Sequence, residues 1–186
     1  MNLFSKHTQG LVYADFLARY ANDQQQARWQ AVDAQVKLAA AQRTLLESFT
    51  RKMNVLCLAG VWCGDCSGQC PIFRHFAQAA QVIDLRFLDR DDHADVQAEL
   101  KINGGNRVPV LVFFSEDGHE VARYGERTLS KYRRLVTDLG GALCPTGLVV
   151  PGDDLLAAVT QDWLDEFERM QWILRLSPRL RKLHGD

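Results

Sequence analysis

A chain of 186 residues with 47% hydrophobic content is long enough to bury a proper core, as one enlarged domain or one domain with an appendage. Twenty-two basic residues against 23 acidic leave a formal charge of -1, which gives no footprint for nucleic acid or for a strongly charged ligand. Five cysteines are too few and too clustered for a disulfide framework, and no apolar run approaches the length of a membrane span. Met1 to Thr8 lack the apolar core and cleavage site of a secretory signal, so the expected compartment is cytoplasmic.

In chain order, residues 10–52 read as helical. Leu11, Tyr13, Phe16, Leu17 and Tyr20 form a short first segment. Asn22 or Asp23 caps a longer one carrying Trp29, Val32, Val36, Ala39, Leu45, Leu46 and Phe49. Met53 to Ala59 is a short apolar run of strand character, broken by Gly60. Ser67 to Gln81 reads as a helix with Ile72, Phe73, Phe76 and Ala80 at 3–4 spacing. Val82 to Leu88 alternates like a strand, Asp89 to Asp92 is a charged turn, and His93 to Lys101 is a short helix. Asn103 to Asn106 is a loop by composition. Val108 to Phe114 is the most buried-looking strand, and Pro109 marks where its pairing begins, because proline has no N–H to give a ladder. Glu116-Asp117-Gly118 turns the chain into a strand over His119 to Tyr124. Thr128 caps a helix to about Leu139. Residues 140–152 are linker-like, Asp153 opens a long amphipathic helix with Leu156, Val159, Trp163, Phe167, Met170 and Leu174, and Arg179 to Asp186 read as a frayed basic end.

The chemistry sits at Trp62-Cys63-Gly64-Asp65-Cys66. A Cys-x-x-Cys pair where a buried strand hands over to a helix puts Cys63 at the helix N-terminus. Unpaired backbone N–H groups and the positive dipole end there favour a thiolate. Cys66 lies one turn further in, at a spacing where Cα atoms roughly 5–6 Å apart can close a disulfide. The same pair as half of a zinc site lacks a second Cys-x-x-Cys or His-x-x-x-His partner. One helix cannot easily wrap Cys63, Cys66, Cys70 and His75 around an ion, so no metal is expected. Cys70 reads as a small buried apolar residue or an auxiliary thiol.

The order strand, Cys-x-x-Cys helix, strand, helix, Val-Pro strand, hairpin strand, helix resembles the thioredoxin superfamily over about Met53 to Leu139. Trp-Cys-x-x-Cys, the helix proline Pro71 and the downstream Val108-Pro109 carry the likeness. Trp-Cys-Gly-Asp-Cys with the Arg90-Asp91 turn and the Asn103-Gly104-Gly105 loop is similar to a bacterial branch with a helical N-terminus. The resemblance implies an α/β thioredoxin-like fold: a central mixed sheet flanked by helices, with a helical extension over 1–52, a core over 53–139, and a linker with an amphipathic helix packed on the core over 140–186. It also implies a thiol–disulfide oxidoreductase with no cofactor beyond a redox-active Cys63–Cys66 disulfide. Cys63 would attack, Cys66 would resolve, Trp62 would be a flat surface beside the sulfur, and Val108 with a cis Pro109 would face the substrate. Partners would be disulfide-containing proteins and an upstream reductase or small thiol as electron donor, with no nucleic acid and no membrane; the oligomeric state is not implied. The alternative is a thioredoxin-fold binding or scaffold module whose helical extensions hold a partner and whose cysteines are not catalytic.

Two positions depart from the resemblance. Gly64-Asp65 stands between the cysteines, and the Asp65 carboxylate opposes a thiolate beside it. Six residues before Cys63, where the family places a buried acid, stands Cys57. It is expected beneath the helix near the sulfur of Cys66, as a far weaker base than a carboxylate.

Overall fold

The computed structural model describes residues 2–138 and 154–186. Four strands form a mixed sheet in the order β2-β1-β3-β4: β1 (Met53–Ala59), β2 (Ile83–Asp89), β3 (Val110–Phe114) and β4 (Glu120–Gly125). β1 pairs parallel with β2 and antiparallel with β3, and β3 pairs antiparallel with β4. All seven residues of β1 are buried, as a central strand covered on both faces requires. β3 begins one residue after Pro109. Gly118 turns the β3–β4 hairpin at φ +83°, a left-handed conformation that glycine adopts without a Cβ penalty.

Helix α5 (Gly64–Ala79) follows β1, with Cys63 as its N-cap residue and Pro71 inside it. It starts three residues earlier than the apolar spacing suggests, because Gly64 and Asp65 are polar first-turn positions without periodicity of their own. α6 (Ala94–Glu99) and α7 (Leu129–Asp138) complete the core. Leu139 and the linker over 140–152, including Cys144, lie outside the described residues.

The N-terminal extension is more broken than its stripe predicts. It contains α1 (Leu3–His7), α2 (Tyr13–Tyr20), α3 (Asp23–Asp33) and α4 (Ala40–Glu47). Asn22 does cap α3, in a reciprocal box with Gln25, but the single long helix is interrupted after Asp33. Val36 is buried in the connection, so the apolar stripe continues through a segment that is not helical. α1 is held by His7, whose Nε2 lies 2.9 Å from the Asp84 carbonyl oxygen. Leu11 exchanges two backbone hydrogen bonds of 2.8 Å with Phe87, covering the open edge of β2.

On the C-terminal side, α8 (Leu155–Leu176) is capped by Asp154 and buries Val159, Trp163, Leu164, Phe167, Met170 and Leu174. It packs where α5 meets the sheet: Trp163 stands edge-on to Phe73 and Tyr124, and Phe167 edge-on to Phe76 and Phe113. Gln171 on α8 accepts from the Thr50 and Arg51 amides and donates to the Arg51 carbonyl, which fixes the chain just before β1. The expected frayed end is instead α9 (Pro178–His184). Ser177 caps it, Pro178 opens it, Gly185 closes it in the left-handed region, and Leu180 is buried. Among the described residues no helix is long and apolar enough to cross a membrane.

Candidate active site

Cys63 is half-buried at the start of α5, and its thiol points at the Val108 carbonyl oxygen 3.7 Å away. The Val108–Pro109 peptide is cis. Gly125 lets β4 lie against this loop, since a Cβ there would meet the Pro109 carbonyl oxygen at 2.6 Å. Trp62 is 40% exposed, with Arg90 stacked 4.2 Å from its ring centre and its Nε1 donating to Asp91 at 3.2 Å. Gly60 is needed beneath it, because a Cβ there would sit 2.7 Å from the indole. Trp62 is exposed and Cys63 half-buried, while Val108, in front of Cys63, and Pro109 are buried.

Cys66 is fully buried behind Cys63. All four described cysteines, Cys57, Cys63, Cys66 and Cys70, are free thiols. Burial alone pushes the Cys66 thiol up. Hydrogen bonds from the Cys63 and Cys70 thiols and from the Gly60 N–H outweigh it and bring Cys66 down to about 5. Cys63 moves the other way: its hydrogen bond to Cys66 comes first, then burial and the adjacent Cys66 charge, and together they push it up. The helix-start amides of Cys66 and Asp65 do pull Cys63 down, as the position at a helix N-terminus predicts, but they are outweighed. The two thiols interact and titrate as a pair, with hydrogen bonding drawing Cys66 down and pushing Cys63 up.

Asp65 is not an unopposed carboxylate. Arg127, between β4 and α7, reaches it at 2.7 Å and also lies 3.4 Å from Glu126. Glu126 is buried and accepts from the Tyr132 hydroxyl at 2.8 Å. The charge beside the cysteines is therefore half of an ion pair. Nothing in the local motif signals this, since Arg127 is distant in sequence.

Both helical additions touch the site. Val61, directly before Trp62, has its carbonyl held by Trp29 Nε1 at 2.9 Å and by Arg28 at 3.0 Å, both from α3. On α5, Gln69 donates to the Glu126 carbonyl at 2.8 Å and accepts from Trp163 Nε1 at 2.8 Å. Trp29 and Trp163 are visible in the sequence only as members of apolar stripes, and Gln69 only as a polar helix residue.

Cys57 lies in β1 beneath α5, fully buried, and its sulfur is 4.0 Å from that of Cys70. It also feels the Cys66 charge, but the thiol it meets is that of Cys70. Burial pushes both Cys57 and Cys70 up, so neither replaces a carboxylate as a base near neutral pH. Among the described residues no cluster of three His, Cys, Asp or Glu side chains is arranged to hold a metal.

A family model described as thioredoxin matches residues 10–139. No curated protein matches the chain. Among solved structures, a protein of unknown function from Pseudomonas aeruginosa is 18% identical, with a TM-score of 0.61 over 89% of this chain and 92% of its own. An HIV epitope scaffold is 15% identical, with a TM-score of 0.69 over 91% of this chain and 97% of its own. A thioredoxin from Fasciola hepatica is 23% identical over 53% of this chain and 91% of its own, with a TM-score of 0.37. The first two cover far more of this chain than the core alone, so the fold they share with it reaches into the helical additions.

Proposed function

This chain belongs to the thioredoxin family, and we propose that it is a thiol–disulfide oxidoreductase acting on protein disulfides. The observation that carries the reading is the half-buried Cys63 thiol at the start of α5, with Cys66 behind it and Val108 in front. A substrate strand would lie against Val108 and Pro109, with Trp62 as a flat wall beside the reacting sulfurs.

Cys63 attacks one sulfur of the substrate disulfide as its proton passes to the Cys66 thiolate. The substrate S–S bond breaks, a mixed disulfide forms, and the electron pair leaves on the other substrate sulfur. Cys66 then loses its proton to that departing thiolate and attacks the Cys63 sulfur. The Cys63–Cys66 disulfide closes, and the substrate leaves with one thiol and one thiolate, which takes its proton from solvent. An upstream reductase or small thiol in the cytoplasm restores the reduced pair. The inner thiolate thus does the base work that a carboxylate at position 57 would otherwise do.

Insulin reduction coupled to dithiothreitol tests the reading. The wild-type chain should accelerate it and Cys63→Ser should fall to the uncatalysed background. A folded wild-type chain with no activity above background would favour the alternative of a thioredoxin-fold binding module.

A further inference from the structure

The four described cysteines are not scattered. Cys63, Cys66 and Cys70 follow one another at three- and four-residue spacing from the start of α5, and the Cys70 sulfur lies 4.0 Å from that of Cys57. The line runs from the half-buried Cys63 to three thiols with no exposed surface. Cys66 and Cys70 are one turn apart on α5, a spacing that puts side chains on one face of a helix. Cys57 and Cys70 project from β1 and α5 into the same packing layer. A disulfide needs sulfurs about 2 Å apart, so a side-chain rotation closing roughly 2 Å would join them. A single buried cysteine is a small apolar residue; two in contact, at the inner end of a reactive pair, offer a path for exchange.

We propose that Cys57 and Cys70 form a second, buried dithiol that receives the disulfide from Cys63 and Cys66, so that one reduced chain reduces two substrate disulfides before it needs external electrons. This rests on the oxidoreductase reading. Cys70 attacks the Cys66 sulfur of the Cys63–Cys66 disulfide: the S63–S66 bond breaks, S66–S70 forms, and the electron pair goes to Cys63, which takes the proton that Cys70 loses. Cys57 then attacks the Cys70 sulfur: S66–S70 breaks, S57–S70 forms, and Cys66 receives the electron pair and the proton from Cys57. The two steps are an isomerisation and consume no outside oxidant. They return Cys63 and Cys66 to the dithiol, from which Cys66 can release its newly gained proton to solvent, and they consume two thiols that burial keeps neutral, so the ionisation balance favours the inward move.

The test mixes the fully reduced chain, freed of external reductant, with excess glutathione disulfide, followed by acid quench, alkylation and peptide mapping. Not counting glutathione taken up by Cys144, which peptide mapping scores separately, the wild type should consume two equivalents per chain and end with Cys63–Cys66 and Cys57–Cys70 linked. Cys57→Ala and Cys70→Ala should each stop at one. Mapping the wild type needs no substitution, so a variant that does not fold leaves the test intact. The doubly substituted Cys63→Ser/Cys66→Ser chain should keep Cys57 and Cys70 reduced in the same mixture, since they have no route to solvent. A wild type that stops at one equivalent with Cys57 and Cys70 alkylated overturns the inference and leaves the oxidoreductase reading standing. A terminal Cys66–Cys70 linkage, or oxidation of Cys57 and Cys70 in the double variant, also overturns it. Consumption of none, or glutathione left on Cys63, overturns the oxidoreductase reading itself.

Discussion

The two helical additions each deliver a fully buried tryptophan N–H to the neighbourhood of the cysteines, yet they hold it in different ways. Trp29 of α3 bonds a backbone carbonyl, Val61, which also accepts from Arg28. Trp163 of α8 bonds a side chain, Gln69, which in turn secures the Glu126 carbonyl near Arg127 and Asp65. The first arrangement has a spare donor and acts directly on the loop that carries Trp62 and Cys63. The second is a single series of bonds, so losing one member strands another inside the core.

Trp163→Phe against Trp29→Phe breaks this comparison most severely. Both lose packing volume, but only Trp163→Phe leaves a buried acceptor, Gln69 Oε1, without its donor. That variant should be less stable than Trp29→Phe by about 1–3 kcal/mol, the range for a stranded buried polar group. The midpoints of urea unfolding, at unchanged slope, read the difference. Equal losses would mean that Gln69 finds another partner and the series has a spare donor after all.

The sequence made one half of this arrangement readable and hid the other. The strand ending at Gly60, the Cys-x-x-Cys pair, the Val108-Pro109 step and the Asn22 cap are local patterns, and local patterns survive in one dimension. The end of α3 at Asp33 was not legible, because Val36 keeps the apolar stripe going through a non-helical connection. α9 was legible in principle: Ser177, Pro178 and Gly185 are a cap, a first-turn proline and a C-terminal glycine, outvoted by the basic composition around them. Arg127 against Asp65, and the two indole donors, depend on residues brought together only by the sheet and α8. No spacing rule reports them.

Arg127 sharpens the comparison from the α8 side, since it converts position into electrostatics. In the folded, reduced chain Cys66 falls from its ordinary 9.0 to about 5. A depressed acidic group adds stability that is complete above the unfolded value and is lost as pH falls through the folded one. Reduced protein should therefore gain stability from about pH 5 to about 9. Above 9 it should lose stability, because Cys63, Cys57 and Cys70 are pushed up in the fold and unfolding frees them to ionise. A chain with Cys63 and Cys66 joined has no Cys66 thiol to titrate and should lack the rise. Arg127→Leu would leave the Asp65 charge unopposed beside the pair and strengthen proton binding by about tenfold, or about 1.4 kcal/mol. Thiolate absorbance against pH measures it, and Arg127→Lys should restore most of the wild-type curve. An unmoved curve in Arg127→Leu would show that solvent already screens Asp65.

The smallest expected effect is at the far end of α3, and it asks how local the Trp29 contact is. The Asn22 side chain accepts from the Gln25 backbone N–H at 2.9 Å, and the Gln25 side-chain oxygen accepts from the Asn22 backbone N–H at 2.9 Å. Both bonds are exposed, so in Asn22→Ala water takes over part of their role, and the loss should be about 1 kcal/mol or less. The other end of α3 is tied independently: Asp33 pairs with Arg74 of α5 at 2.6 Å, and Trp29 lies between that pair and the cap. Losing the cap should therefore fray the first turn without releasing Val61. Amide hydrogen exchange should quicken over the first turn of α3 and stay slow around Val61, and the alkylation rate of Cys63 should be unchanged. A Cys63 rate that shifts as far in Asn22→Ala as in Trp29→Phe would mean that α3 acts on the loop carrying Cys63 through its whole length rather than through one indole.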